Sequence, residues 1–109
     1  MLKRGIEIKR VFILTGRTDM RRGIMGLVSL VRLQYGLDPL EKGSLFLFCG
    51  RKKNRIKGIL YEGDGFVLVS KTLTSGRYCW PNTPDEARRL TWEEYDRLME
   101  GFTIESTIA

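Results

Sequence analysis

Four strand-like segments separated by short turns occupy residues 44–80, and they constrain the fold more than any other feature of the sequence. The turns between them contain glycine, asparagine, aspartate and serine, which tight turns favour. Strands joined by such short connections pair as antiparallel neighbours, so the pattern predicts a β-meander. The four predicted strands cover residues 44–49, 55–62, 66–73 and 76–80.

A strand and then a long helix are predicted before the meander. Residues 8–14 are apolar enough for a strand, and Gly16 ends it. Thr18 is the predicted N-cap of a helix that runs to about Tyr35, where Gly36 stops it. The apolar residues of this helix recur with helical spacing and form a single stripe. They are Ile24, Leu27, Val28, Val31 and Tyr35.

A second, shorter helix is predicted near the C-terminus. Thr91 and Glu94 have the spacing of a capping box, in which the side chain of each residue bonds the backbone of the other. The helix follows a loop at residues 81–84 and ends at Gly101, and residues 102–104 are expected to add a short strand. Its apolar face consists of Trp92, Tyr95, Leu98 and Met99.

Together these elements predict one α+β domain over residues 1–109, with its core at about residues 8–104. The predicted architecture is a mostly antiparallel β-meander of about five strands. One long helix follows the first strand, and a shorter helix lies at the C-terminal end. A chain of 109 residues has the size of one ordinary domain and can bury a core without metals or disulfides.

The sequence contains no histidine, which removes the commonest general base and the commonest metal ligand. No catalytic residue, metal or cofactor is predicted. Cys49 and Cys79 lie in apolar segments and are expected to be buried thiols. The N-terminal residues lack the apolar stretch of a signal peptide, and no apolar run has the length of a membrane span. A cytoplasmic protein with no membrane partner is therefore expected.

The positive charge of the chain is concentrated in its first three quarters. The net charge is +6 overall, with +10 over residues 1–81 and −4 over residues 82–109. A clustered basic surface is typical of proteins that bind an anionic partner such as nucleic acid. The alternative is that these charges serve solubility alone, but their clustering favours a partner.

The first candidate binding group consists of Arg17, Arg21 and Arg22, at the predicted start of the long helix. Unpaired N–H groups and the helix dipole make a helix N-terminus attractive to anions, and three arginines add to that field. The phosphates of a nucleic acid fit such a site. The alternative is that Asp19 pairs with one arginine while water solvates the others.

The second candidate group lies at the tip of the hairpin between the segments 44–49 and 55–62. A turn needs glycine and asparagine but not several cations. The concentration of cations therefore favours contacts with a nucleic-acid backbone, which position a protein without reading sequence. The alternative is a solvated turn that keeps the sheet soluble. The cations are Arg51, Lys52, Lys53 and Arg55, with Lys57 following in the strand.

The third candidate group combines aromatic residues with cations in the later strands. Tyr61, Tyr78 and Trp80 are the aromatic residues, and Lys71 and Arg77 are the cations near them. An exposed sheet face of this composition can stack bases. The favoured alternative is that the aromatic residues belong to the core, with Trp80 packing over the second helix.

Two carboxylates, Glu62 and Asp64, share a glycine-rich turn. A metal-dependent nuclease needs several acids that converge on the metal, and Asp19 is the third acid that such a site would have to recruit. A tight hairpin turn explains the pair without a metal, and we favour that interpretation.

Several ordered motifs resemble those of one protein family. They are Thr15-Gly16-Arg17-Thr18-Asp19-Met20-Arg21-Arg22-Gly23 with Gly26-Leu27, then Leu45-Phe46-Leu47-Phe48-Cys49-Gly50-Arg51-Lys52-Lys53-Asn54-Arg55-Ile56-Lys57, then Tyr61-Glu62-Gly63-Asp64-Gly65-Phe66, and finally Lys71, Leu73, Gly76, Arg77, Trp80 and Pro81 with Leu90-Thr91. In this order they are similar to the motifs of the TnpB-type accessory proteins of IS sixty-six insertion sequences. The resemblance covers residues 10–104. At Gly58 the sequence departs from the family, whose members usually have a bulkier apolar residue, so a bulge or a close backbone approach is expected there.

This resemblance implies a role in the transposition of a bacterial insertion sequence, beside an element-encoded transposase of the acidic-triad type and another small accessory protein. The resemblance indicates the process and the partners but not the biochemical activity. Together with the charge pattern, it leads to the hypothesis of a non-catalytic accessory protein that binds DNA through its basic groups. A protein–protein adaptor for the transposase is the alternative, and a metal-dependent nuclease is the least favoured.

Overall fold

The structure, a computed structural model, describes residues 7–83 and 85–100. Its described part contains five strands and two helices, and the first helix continues as a short π-helical segment. In chain order these are β1 (Arg10–Leu14), α1 (Ile24–Ser29) with its π-helical continuation (Leu30–Gln34), β2 (Ser44–Cys49), β3 (Arg55–Tyr61), β4 (Phe66–Thr72), β5 (Ala87–Leu90) and α2 (Trp92–Met99).

The five strands form one mixed sheet in the order β4-β3-β2-β1-β5. β2, β3 and β4 pair as antiparallel neighbours, which confirms the predicted α+β class and the meander over this part of the chain. β1 instead lies parallel to β2, with Val11 opposite Leu45. The sheet is therefore not purely antiparallel. The parallel pairing follows from the long connection at residues 15–43, which has room to carry the chain back to the end of the sheet where β1 began.

The fifth strand lies at Ala87–Leu90, so its predicted position at residues 76–80 was wrong. β5 pairs antiparallel with β1 and forms the sheet edge opposite β4. Residues 76–80 instead cross the sheet as an irregular segment. The amide N–H of Tyr78 donates to the carbonyl oxygen of Lys53 over 2.7 Å, and the indole N–H of Trp80 donates to a backbone carbonyl in β1 over 3.2 Å. Single hydrogen bonds of this kind replace the regular ladder of a strand.

The first helix begins at Ile24 rather than just after Thr18, and it is shorter than predicted. Residues ahead of it have hydrogen-bond partners outside a helix. The N–H of Thr18 donates to the carbonyl oxygen of Cys49, and the N–H of Arg21 donates to the carboxylate of Asp19. The predicted apolar stripe is confirmed, because all five of its residues pack in the cluster between the helical segment and the sheet.

Each face of the sheet carries a hydrophobic cluster, because side chains alternate between the two faces along every strand. In β2, Phe46 and Phe48 face α1, whereas Leu45 and Leu47 face α2. α1 thus covers one face, and α2 covers the other together with residues of the irregular segment. The domain has three layers, with the sheet in the middle.

The predicted capping box of α2 is confirmed. The N–H of Glu94 donates to Thr91 Oγ1 over 3.0 Å, and the N–H of Thr91 donates to Glu94 Oε1 over 2.9 Å. Leu98 is fully buried beneath the helix. The predicted helix end at Gly101 and the predicted strand at residues 102–104 lie outside the described residues. Within the residues that the structure describes, no helix has the length and apolar character needed to cross a membrane.

Because Gly58 has no side chain, side chains of the neighbouring strands can approach the backbone of β3 closely. The strand pairings on both sides run through it without interruption, opposite Leu47 and Val69, so there is no bulge at this position. A Cβ atom at Gly58 would lie 2.9 Å from Leu47 Cδ2 and 3.0 Å from Val69 Cγ2. The atoms that approach Gly58 closely are side-chain atoms of the neighbouring strands, so the expected close backbone approach was wrong as well.

Candidate nucleic-acid interface

The parallel pairing of β1 and β2 brings the segments that follow them to the same edge of the sheet. Residues 15–23 follow β1, residues 50–54 follow β2, and each segment carries one of the two main basic groups. The carboxyl ends of parallel strands are also where open α/β sheets bind their ligands. In an antiparallel pairing of these strands, the two basic groups would lie at opposite ends of the sheet.

The two segments contact each other directly. The N–H of Thr18 donates to the carbonyl oxygen of Cys49 over 2.9 Å. Met20 lies against Gly50, where a Cβ atom would come within 2.5 Å of Met20 Cγ. Glycine at position 50 therefore allows the backbone of one segment to approach the side chain of the other.

The turn at residues 50–54 is fixed from the α2 side of the sheet. The carbonyl oxygen of Lys53 accepts a hydrogen bond from the N–H of Tyr78, and that of Asn54 accepts one from the N–H of Leu73, each over 2.7 Å. Lys53 has a φ of 58°, in the left-handed region that few residues other than glycine adopt. These contacts hold the basic turn in one shape.

A groove of about 520 Å³ lies between the two segments, and we call it the basic groove. Five cations and one carboxylate line it, so its net charge is strongly positive. The two basic groups that are separate in the sequence therefore form one surface. The groove is lined by Arg17, Thr18, Asp19, Met20, Arg21, Gly50, Arg51, Lys52, Asn54 and Arg55.

The single carboxylate of the basic groove is paired. Arg21 Nη2 lies 2.8 Å from Asp19 Oδ2, and Arg21 Nε lies 3.0 Å from Asp19 Oδ1. The side-chain hydrogen bonds from Arg21, followed by the bond from its backbone N–H, lower the pKa of Asp19 from 3.8 to about 2. The predicted alternative of an Asp19–arginine pair is thus present, while Arg17 and Arg22 are exposed. The predicted placement of Arg21 and Arg22 in the first helical turn was wrong, because α1 begins after them.

Lys57 stabilises the first basic segment from below. Its side chain is only 7% exposed, and its ammonium group donates to the carbonyl oxygen of Arg22 over 3.1 Å. A contact between Lys57 and an external phosphate would have to replace this internal bond.

A second groove of about 670 Å³ adjoins the basic groove and shares Arg17, Gly50 and Arg51 with it. Asp85 lines it and accepts a hydrogen bond from the side-chain amide of Gln34. Lys53, Asn82 and Thr83 also line this groove. The second groove therefore contains a carboxylate beside its three cations.

The aromatic residues and cations of the third candidate group do not line the basic groove. Lys71 lies opposite Ile56 on the sheet face that α2 covers. Arg77 is exposed, and neither cation lines either groove. Tyr78 and Trp80 are buried in the cluster beneath α2, which confirms that these two aromatic residues belong to the core.

The acidic turn lies at the other end of the sheet from the basic groove. Glu62 and Asp64 follow the C-terminal end of β3, whereas the basic turn precedes its N-terminal end. The N–H of Glu62 donates to the carbonyl oxygen of Gly65 over 2.8 Å, which confirms the tight hairpin turn. Among the described residues, no three cysteine, aspartate or glutamate side chains come together in a group that could hold a metal ion.

Four uncharged residues of the groove lining were not predicted as contacts, namely Thr18, Met20, Gly50 and Asn54. Their positions are the signal that the sequence offers, because each is adjacent in sequence to an arginine that lines the groove. A loop that presents those arginines to a partner also presents their neighbours.

The two cysteines have different environments. Cys49 is fully buried, as predicted, and burial raises the pKa of its thiol from 9.0 to about 12. Cys79 is exposed, so the prediction that it is buried was wrong. The reason is that Cys79 lies in the irregular segment, whose neighbouring residues Tyr78 and Trp80 point into the core instead.

One protein family matches the chain over almost its whole length. Residues 9–109 match the sequence pattern of the family described as IS66 Orf2 like protein. The uncharacterized protein y4hO of Sinorhizobium fredii (strain NBRC 101917 / NGR234) is 38% identical over 101 residues, which are 93% of this chain and 86% of that protein. The uncharacterized protein y4jC of the same organism is 35% identical over 92 residues, 84% of this chain and 78% of that protein. No solved structure matches the chain significantly. The chain therefore belongs to the family of IS66 Orf2-like proteins.

Proposed function

We propose that this protein serves transposition by binding DNA through the basic groove and catalyses no reaction itself. The observation that carries the proposal is the convergence of two basic segments, distant in sequence, on one groove. Arg17 comes from the segment after β1, and Arg51 and Lys52 come from the turn after β2. If these cations served solubility alone, the fold would not need to bring them together against their mutual repulsion.

Membership of the IS66 Orf2-like family makes the chain a transposition-associated accessory protein. Such a protein acts in the presence of the element's DNA and its transposition machinery. DNA is the polyanion available in that setting, and this supports DNA as the partner of the basic groove.

The expected mode of binding is electrostatic. Cations that neutralise phosphates release condensed counterions, so affinity falls as the salt concentration rises. The pairing of Asp19 with Arg21 removes the repulsion that a lone carboxylate would exert on phosphate. The remaining exposed cations then face the solvent with their charges available.

Fluorescence anisotropy of labelled DNA at several salt concentrations tests the proposal. Arg51→Gln is expected to weaken binding and to make the slope of log affinity against log salt shallower by roughly 0.7–0.9, the value for one lost phosphate contact. Arg32→Gln is the matched control, because Arg32 is exposed on the π-helical segment and does not line either groove. Failure of both duplex and single-stranded DNA to bind at low salt would contradict the proposal.

An adaptor for the transposase is the second candidate, favoured by the acidic surface of α2. Glu93, Asp96 and Glu100 are exposed, and their spacing places them on one side of the helix. A basic segment of a partner protein fits this side. A pull-down of the transposase from nuclease-treated extract separates the two functions, because a DNA bridge is lost there and a direct contact is kept.

A further inference from the structure

The basic groove is a concave site between two segments. Its volume of about 520 Å³ lies in the range of sites that enclose small ligands, roughly 300–1,000 Å³. Proteins that read duplex DNA insert a projecting helix or ribbon into a groove of the DNA. Here the protein supplies the concave surface, which fits a group that projects from the nucleic acid, such as an unpaired base.

Met20 supplies an apolar surface inside the groove. Its side chain is partly buried, and its Cγ occupies the space directly above Gly50. The thioether of methionine is polarizable and makes favourable contacts with aromatic rings. Every nucleobase has an aromatic face, so a base can pack on Met20 whatever its identity.

The polar groups around Met20 suit the other parts of a nucleotide. Arg17, Arg51 and Lys52 are exposed at the groove and can bind the phosphates on either side of a base. Asn54 is one of the lining residues, and a side-chain amide can both donate to and accept from the edge of a base. Charge, apolar surface and a base-edge partner are thus combined in one site.

We propose that the basic groove binds single-stranded DNA, with one unpaired base against Met20 and the adjoining phosphates on Arg17, Arg51 and Lys52. This inference rests on the proposed function, since it names the form of DNA that the same groove takes.

The first test compares affinities for one labelled DNA strand and for the same strand annealed to its complement, using the full chain. The single strand is expected to bind about tenfold more tightly. Met20→Ala should weaken single-strand binding about two- to tenfold, as expected for the loss of a sulfur–aromatic contact, and should weaken duplex binding less. Met25→Ala is the control, because Met25 is 66% exposed on α1 and does not line the groove.

The second test follows binding in the protein with its own sequence, and a substitution is used only to assign one signal. The methionine methyl groups are labelled with carbon-13, and their NMR signals are followed as the single strand is added. A base stacked on Met20 should shift the signal of its methyl group upfield by its ring current, while the signal of Met25 stays in place. Met20→Leu assigns the signal.

The outcomes separate this inference from the proposed function. Equal affinities for both forms of DNA, with an unshifted Met20 methyl signal, would overturn the inference and leave DNA binding by the groove intact. Tighter binding to an RNA strand of the same sequence would overturn the assignment to DNA. Failure of any nucleic acid to bind would overturn the proposed function as well.

Discussion

The amide N–H of Thr18 donates a hydrogen bond to the carbonyl oxygen of Cys49 across 2.9 Å, and this bond joins the two basic segments of the protein. Thr18 is 8% exposed although it lies in a loop that is otherwise rich in exposed cations. The bond fixes the distance between Arg17 on one side and Arg51 on the other. The geometry of the basic groove therefore depends on the backbone as well as on the charged side chains.

Replacement by methionine is expected to affect stability differently at Lys57 and at Lys52. Lys57→Met should lower the free energy of unfolding by about 1.5–3 kcal/mol, because the carbonyl oxygen of Arg22 loses a charged hydrogen-bond donor. Lys52→Met, in the exposed turn, should alter it by less than about 0.5 kcal/mol and weaken DNA binding instead. Urea denaturation measures the first quantity. Equal stability of the two variants would show that the internal bond of Lys57 contributes nothing.

The carboxyl group of Asp19 is expected to titrate at about 2, because Arg21 donates side-chain and then backbone hydrogen bonds to it. Since the pKa in the folded state lies below the ordinary value of 3.8, the pairing stabilises the protein above that value. This contribution is lost as the pH falls through about 2. Carbon-13 NMR of the carboxyl group should show its pKa rising in Arg21→Ala but not in Arg32→Ala. An unchanged titration in Arg21→Ala would refute the assigned cause.

Tyr78→Phe is expected to leave the protein equally stable or more stable, by up to about 1–3 kcal/mol. Tyr78 is 2% exposed, and its hydroxyl has no hydrogen-bond partner among the described residues. Burial, followed by the nearby Cys49 and Tyr95, raises the pKa of this hydroxyl. Tyr35→Phe provides the contrast, because the hydroxyl of Tyr35 donates to the carbonyl oxygen of Thr15 over 3.4 Å. In thermal unfolding, the Tyr35→Phe variant should therefore have a lower melting temperature than the Tyr78→Phe variant.

The two thiols are expected to differ in reactivity. In the folded protein at about pH 8, a thiol reagent should label Cys79 and spare Cys49, because Cys49 is buried and its pKa is raised to about 12. Mass spectrometry of the labelled peptides measures this difference. Cys79→Ser should remove the labelling of the folded chain, and urea should restore one labelled site, at Cys49. Fast labelling of Cys49 without denaturant would contradict its burial.

The elements that the sequence predicts correctly are those set by local patterns. The stripe that includes Leu27 and Val31 packs on the sheet because its spacing matches the helical repeat. The capping box at Thr91 and the turns of the meander follow from residues close together in the chain. Such patterns do not depend on distant partners.

The features that the sequence did not predict are set by distant partners. Thr18 was predicted to cap a helix, but that helix begins only at Ile24, and the N–H of Thr18 donates to the carbonyl oxygen of Cys49 at the end of β2. Arg88 and Arg89 have little intrinsic preference for a strand, and they form β5 because β1 offers a free edge to pair with. Residues of both cation clusters line the candidate groove, and their convergence could not be predicted because it depends on the parallel pairing of β1 and β2.

The position of β1 between β2 and β5 has a consequence for how the protein acquires its groove during synthesis. Phe12 pairs with Phe46 on one side and with Arg89 on the other, so β1 leaves the ribosome long before either neighbour exists. Contacts between such distant residues form slowly, because a long loop must close first. The nascent chain therefore carries its cations well before it holds them in a binding geometry. The basic groove is complete only after the chain has emerged as far as Tyr78, whose N–H donates to the carbonyl oxygen of Lys53 in the basic turn.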